Sequence, residues 1–162
     1  MSAGEMYGTY PEEIATLLDV VGESAMVLSF QEDRTFAALS LGRFGAVGSC
    51  RLDWQGAEVI ERCEAFDASQ LRRLVGTYAG ANELAVLFWG NLAVPSVALE
   101  AALVASHAEA VLDCSPVCWI YLTDCAVLIE FQDGEGLTAA KVPHGRSRSR
   151  RGGALRGPWV GN

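Results

Sequence analysis

Four side chains able to ligate a soft metal or act as nucleophile and base fall within 19 residues: His107, Cys114, Cys118 and Cys125. Their spacing does not favour either use. A C-x3-C pair followed by a single cysteine is not the pattern of a zinc ribbon, and Cys118 and Cys125 lie in apolar runs of strand length, where cysteine packs as a small hydrophobe. The chain has five cysteines, an odd number, and its first residues, MSAGEMYGTYPEE, lack the basic start and apolar core of a secretory signal. The expectation is therefore reduced, buried thiols in a cytoplasmic protein with no metal and no cofactor. An enzyme pairing His107 with Cys114, Cys118 or Cys125 is the least favoured alternative, since the only other histidine, His144, opens the C-terminal tail.

The glycine-rich GRFGAVG at 42–48 has the composition of a phosphate cradle but not its context. No Gly-Lys-Ser/Thr follows it and the G-x-G-x-x-G spacing is absent, so it reads as a loop between two strands. A different chemistry is concentrated in RLDWQGAEVIERCEAFDAS, residues 51–69. There Asp53, Glu58, Glu61, Glu64 and Asp67 flank Trp54 and Phe66, the arrangement that a partner bearing Arg and Lys would dock against, with Asp53, Glu58, Glu61 and Glu64 around Trp54 as the expected contact set. The alternative is a solvated edge strand protected by charge.

Charge points the same way. Residues 1–143 carry all 20 acidic side chains against seven of the 12 basic ones, a balance near −13, whereas 144–162 carry five arginines and no acid. A body so acidic repels nucleic acid and anionic lipid and favours basic proteins. The tail, HGRSRSRRGGALRGPWVGN, has the Gly-, Ser- and Arg-rich composition of a segment that cannot bury enough apolar surface to fold. It is the one region with the charge to contact RNA. The organisation expected is thus one acidic domain, 1–143, and a basic, disordered tail, 144–162.

The elements that must position these residues follow from periodicity. Thr9-Tyr10-Pro11-Glu12 reads as a capping box opening a helix with Ile14, Leu17, Leu18 and Val21 on one face, stopped by Gly22. Residues 24–30 and 35–41 read as a hairpin around QEDR, and 47–54 and 57–62 as two further strands. Asp67 opens a second helix through Tyr78 with Leu71, Leu74 and Val75 inward. The most apolar stretch, 83–107, is a poor membrane span. Gly90, Asn91, Pro95 and Glu100 would all sit deep, and a central carboxylate alone costs roughly 2.5–3.5 kcal/mol on insertion scales. It parses better as a strand, 84–89, a Gly90-Asn91 turn and a helix from Pro95 to Asp113 with Val97, Ala101, Val104, Ala108 and Val111 in one stripe. Strands at 117–122, 125–131 and 137–142 complete the chain, with 84–122 as a candidate parallel crossover. The class expected is α+β: two layers, a mostly antiparallel sheet with helices packed on one face.

Within LAVLFWGNLAVP…CWIYLTDCAVLIEFQDGEG, the Trp-Gly-Asn turn at 89–91, Trp119-Ile120-Tyr121 and Glu130-Phe131 before a glycine turn resemble the small immunity proteins that bacteria keep against contact-dependent and other polymorphic toxins. The resemblance covers about a third of the chain. It implies a non-enzymatic inhibitor of a basic, nuclease-type toxin domain. The alternative function is a regulatory module whose arginine tail binds RNA or a protein.

Overall fold

A computed structural model describes residues 11–47 and 51–144. A short 3-10 turn, Pro11–Ile14, leads into α1, Ala15–Val21, which ends at Gly22 in the left-handed region (φ 59°) as expected. Ile14 and Leu17 are fully buried along the anticipated face. Thr9, the first half of the expected capping box, lies outside the described residues.

The next segment corrects the hairpin expected at 24–41. Only Met26–Val27 forms a strand, β1, and Phe30–Leu39 is a helix, α2. Its start is a capping box: the Ser29 hydroxyl accepts from the Glu32 N–H at 3.1 Å, and the Ser29 N–H donates to Glu32 Oε1 at 2.9 Å. The helical periodicity was hidden because the inward positions include polar residues. Asp33, Ala37 and Ser40 are the buried ones; Asp33 Oδ1 accepts from Ser96 Oγ at 2.5 Å and Ser40 Oγ donates to the Phe36 carbonyl at 2.8 Å. Apolar spacing alone could not register such a face.

Two short strands, β2 (Gly45–Val47) and β3 (Arg51–Asp53), pair with each other as a separate ribbon. β4 (Val59–Cys63) instead joins the main sheet, so the segments on either side of Gln55-Gly56 are not partners. Helix α3 (Ala68–Tyr78) is the one anticipated, with the Asp67 carboxylate accepting the Gln70 N–H at 3.1 Å. Burial of Leu71 and Leu74, each at most 1% exposed, contributes roughly 1.5–3 kcal/mol apiece.

β5 (Leu84–Trp89) falls where expected; the helix expected from Pro95 does not. Val97–Glu100 is a strand, β6, hairpinned onto β5, and only then do α4 (Ala101–Ser106) and α5 (Ala108–Asp113) follow, separated at His107. Pro95 is buried ahead of the strand, its carbonyl accepting the Trp89 indole N–H at 2.8 Å. The stripe Val97, Ala101, Val104, Ala108 and Val111 is buried throughout, because Val97 as a strand residue faces the same core as the helices. β7 (Val117–Leu122), β8 (Val127–Gln132) and β9 (Gly136–Lys141) form a meander. β5 and β7 are antiparallel neighbours, which removes the parallel crossover.

The result is an α+β fold: a seven-stranded antiparallel sheet, order β1-β6-β5-β7-β8-β9-β4, with α1, α3, α4 and α5 on one face. The other face has its own apolar cluster. Val86, Phe88, Trp119, Tyr121 and Leu128 lie there under Leu28 and Ala37, with Phe44 and Leu52 packed against them. Helix α2 and the β2–β3 ribbon therefore add partial cover beyond the expected two layers. At the far edge a Cβ on Gly136 would sit 2.1 Å from the Cys63 carbonyl oxygen, so β4 closes on β9 only because none is there. Among the described residues no helix is long and apolar enough to cross a membrane.

Candidate functional site

The sheet distributes the five expected contact residues, Asp53, Trp54, Glu58, Glu61 and Glu64, over different surroundings. Glu61, on β4, faces the helix layer, where it accepts from Arg73 Nη2 at 2.5 Å and from the Tyr78 hydroxyl at 2.9 Å. Arg73 first, then Tyr78, holds its carboxyl below the usual range. Asp53 closes a local turn, its Oδ1 accepting the Gln55 N–H at 3.0 Å. Glu58 is exposed, and its carbonyl takes the Lys141 N–H at 2.9 Å. Trp54 is half-buried, edge-on to Phe44 with ring centroids 5.2 Å apart. Only Trp54 and Glu64, of the five, line the same pocket, a cavity of about 280 Å³ between the ribbon and β8, β9 and β4.

A larger concentration of acid lies at the ends of the strands. A cleft of about 570 Å³ is lined by Glu13 before α1, Asp67 at the start of α3, Glu109 and Asp113 on α5, and Asp133 after β8, with Phe66 at its wall and no basic side chain in the lining. Among the described residues none of these carboxylates forms an ion pair. Sequence reasoning singled out only Asp67 and Phe66 of this lining, within the contiguous cluster at 51–69; the other carboxylates are scattered from 13 to 133, and among them only Glu109 and Asp113, one helical turn apart, share a local signal. They line the cleft without converging: among the described residues no three His, Cys, Asp or Glu side chains gather as a metal-binding group. Spread carboxylates around an exposed aromatic ring match several basic side chains of a protein surface better than one point charge.

The thiols are placed by packing. Cys118 is fully buried, and burial pushes its pKa well up. Burial, then Asp113 and Glu13, pushes Cys114 up to about 12, while burial, then Glu83, pushes Cys125 up to about 11. A thiol so raised carries almost no thiolate near neutral pH, the opposite of an activated nucleophile. His107 sits half-buried at the break between α4 and α5. The segment 42–48 supplies a 3-10 turn and β2 rather than one long loop, and Gly48 and Cys50 lie outside the described residues, as does the arginine tail after His144.

Comparison with protein-family models gives no match to this chain, and comparison with curated proteins gives none either. The class of protein that fold and site define is thus read from its own geometry: an acidic α+β protein with a carboxylate-lined cleft.

Proposed function

We propose that this is a non-enzymatic, cytoplasmic binding protein that docks a basic protein partner, acting as an immunity-type inhibitor of a nuclease-like toxin domain. One observation carries the reading: five carboxylates and the exposed ring of Phe66 line one cleft whose lining holds no basic residue. The body's charge near −13 extends the same field outward, which speeds encounter with a cation-rich surface. A nuclease active site presents that kind of surface, because it must hold phosphates.

The test is co-expression with, and pull-down of, basic nuclease-type toxin domains, beginning with any encoded beside this gene. Protection of cells, together with an association rate that falls steeply as salt rises, is the expected result. Neither binding nor protection, or binding indifferent to salt, overturns the reading.

A further inference from the structure

The pocket beneath Trp54 has a charge arrangement unlike that of the acidic cleft. The strand registers align Trp119, Glu130, Thr138 and Arg62 in one row across β7, β8, β9 and β4. Cross-strand neighbours on a face stand about 5 Å apart, so the Cβ atoms of Glu130 and Arg62 are separated by roughly 10 Å with only Thr138 between them. The two charged groups do not pair with each other. Glu130, 4% exposed, leans the other way: its Oε2 accepts the Trp119 indole N–H at 2.9 Å and the Leu52 N–H at 3.0 Å. Its Oε1 receives no hydrogen bond from a described residue, and Arg62 has no ion-pair or hydrogen-bond partner among them.

A buried carboxylate with an unused oxygen and an unpaired guanidinium therefore line one cavity of about 280 Å³, with Trp54 as its aromatic wall. The remaining cation, Arg51, is already paired with Glu135. The volume lies just below the roughly 300–1,000 Å³ of drug-sized sites, which suits a small metabolite. We propose that this pocket binds a small zwitterion, a free α-amino acid, with its ammonium on Glu130 Oε1, its carboxylate on the Arg62 guanidinium and its side chain against Trp54. The geometry favours a zwitterion over a simple cation because a lone cation would leave Arg62 unmatched, and over a simple anion because an anion would meet Glu130. The proposal is independent of the cleft and its protein partner.

The Trp119 indole N–H, bonded to Glu130, is the reporter. With the full-length chain labelled with nitrogen-15, titration with a panel of free amino acids including L-phenylalanine should move that resonance and the Trp54 indole resonance along saturable curves. Phenethylamine, which lacks the carboxylate, and N-acetylphenylalanine, which lacks the ammonium, should each bind at least about tenfold more weakly, the scale of one lost charge-assisted contact. Arg62→Gln, at an exposed position that leaves the fold intact, should weaken L-phenylalanine by a similar factor. No saturable shift with any member of the panel, equal binding of phenethylamine, or unchanged affinity in R62Q overturns the proposal.

Discussion

The two ends of strands β5, β7 and β8 treat carboxylates in opposite ways. At the end where β5 begins, Glu83 is 1% exposed and accepts three backbone N–H groups: Gly80 at 2.6 Å, and Asp124 and Cys125 at 2.7 Å each. It ties the exit of α3 to the β7–β8 turn, where Ala126 is held at φ 57°. At the opposite end, Glu13, Glu109, Asp113 and Asp133 line a cleft and take no ion-pair partner among the described residues. The difference separates acid that builds the fold from acid left free for something else. A buried carboxylate must be matched by donors or it neutralises, whereas a row of unmatched surface carboxylates repel one another and persist only if that repulsion is tolerated or useful.

Removing the matched acid tests the first half of that contrast with the largest expected effect. Glu83→Ala orphans three N–H groups in a tight corner, and should cost about 3–5 kcal/mol of stability in urea denaturation. A loss under about 1 kcal/mol would mean that water replaces the carboxylate freely. Titration sharpens the point. Burial pushes the Glu83 carboxyl up, but the N–H groups of Gly80, Cys125 and Asp124 outweigh it and hold the pKa below the usual range. A depressed folded pKa gives stability that is complete above the unfolded value, about 4.3, and lost as pH falls through the folded one. Glu83→Gln should therefore flatten the stability profile below about pH 4.3 while leaving the slope at neutral pH unchanged.

These two ends were unequally legible in the sequence. β5, β7 and α3 emerged with correct or nearly correct bounds because Leu84–Trp89 and Val117–Leu122 are continuous apolar runs and Asp67 supplies a cap. The strand Val97–Glu100 did not, since Pro95 and the stripe through Val111 satisfy a helical template equally well, and pairing with β5 decides the outcome. α2 was obscured by Asp33 and Ser40 on its inward face, and its Ser29-x-x-Glu32 capping box was read as the end of a strand and its loop. Glu83 gave no signal at all: its role exists only once Gly80 and the 123–126 turn converge on it. The cleft was little better, since its carboxylates come from four separate segments and only Asp67 among them belonged to a contiguous cluster. The cluster at 51–69 was visible because it is contiguous, and contiguity is a poor guide when successive residues of a strand face opposite layers.

Reversing the unmatched acid tests the other half. Glu109→Lys with Asp113→Lys places two cations in the cleft, on the exposed side of α5. Stability should stay within about 0.5 kcal/mol of the parent, or rise as like-charge repulsion is relieved. Association with a basic toxin domain should slow by about tenfold or more at low salt, with the gap narrowing as ionic strength increases. Stopped-flow association and thermal melts read the two quantities separately. A large loss of stability with unchanged association would reverse the assignment of this end.

Glu61 provides the smallest effect and the finest discrimination, because it belongs to the contiguous acidic cluster yet is engaged like a structural carboxylate. Arg73 and Tyr78 already occupy both of its oxygens, on the helix-layer side of β4. The pair is partly solvent-exposed, so Glu61→Gln should move the unfolding midpoint little, and the residual stabilisation should fade as salt is added. Its effect on the association rate should also be slight, within about twofold, since a carboxylate already facing Arg73 presents little net field to an incoming cation. The Tyr78 hydroxyl is the internal control: burial first, then its bond to Glu61, raises its pKa, so E61Q should lower the tyrosine titration midpoint seen in ultraviolet absorbance. A drop in association as large as that caused by reversing Glu109 and Asp113, with the Tyr78 titration unmoved, would mean that Glu61 faces the partner rather than the helix layer, and the docking surface would return to β4.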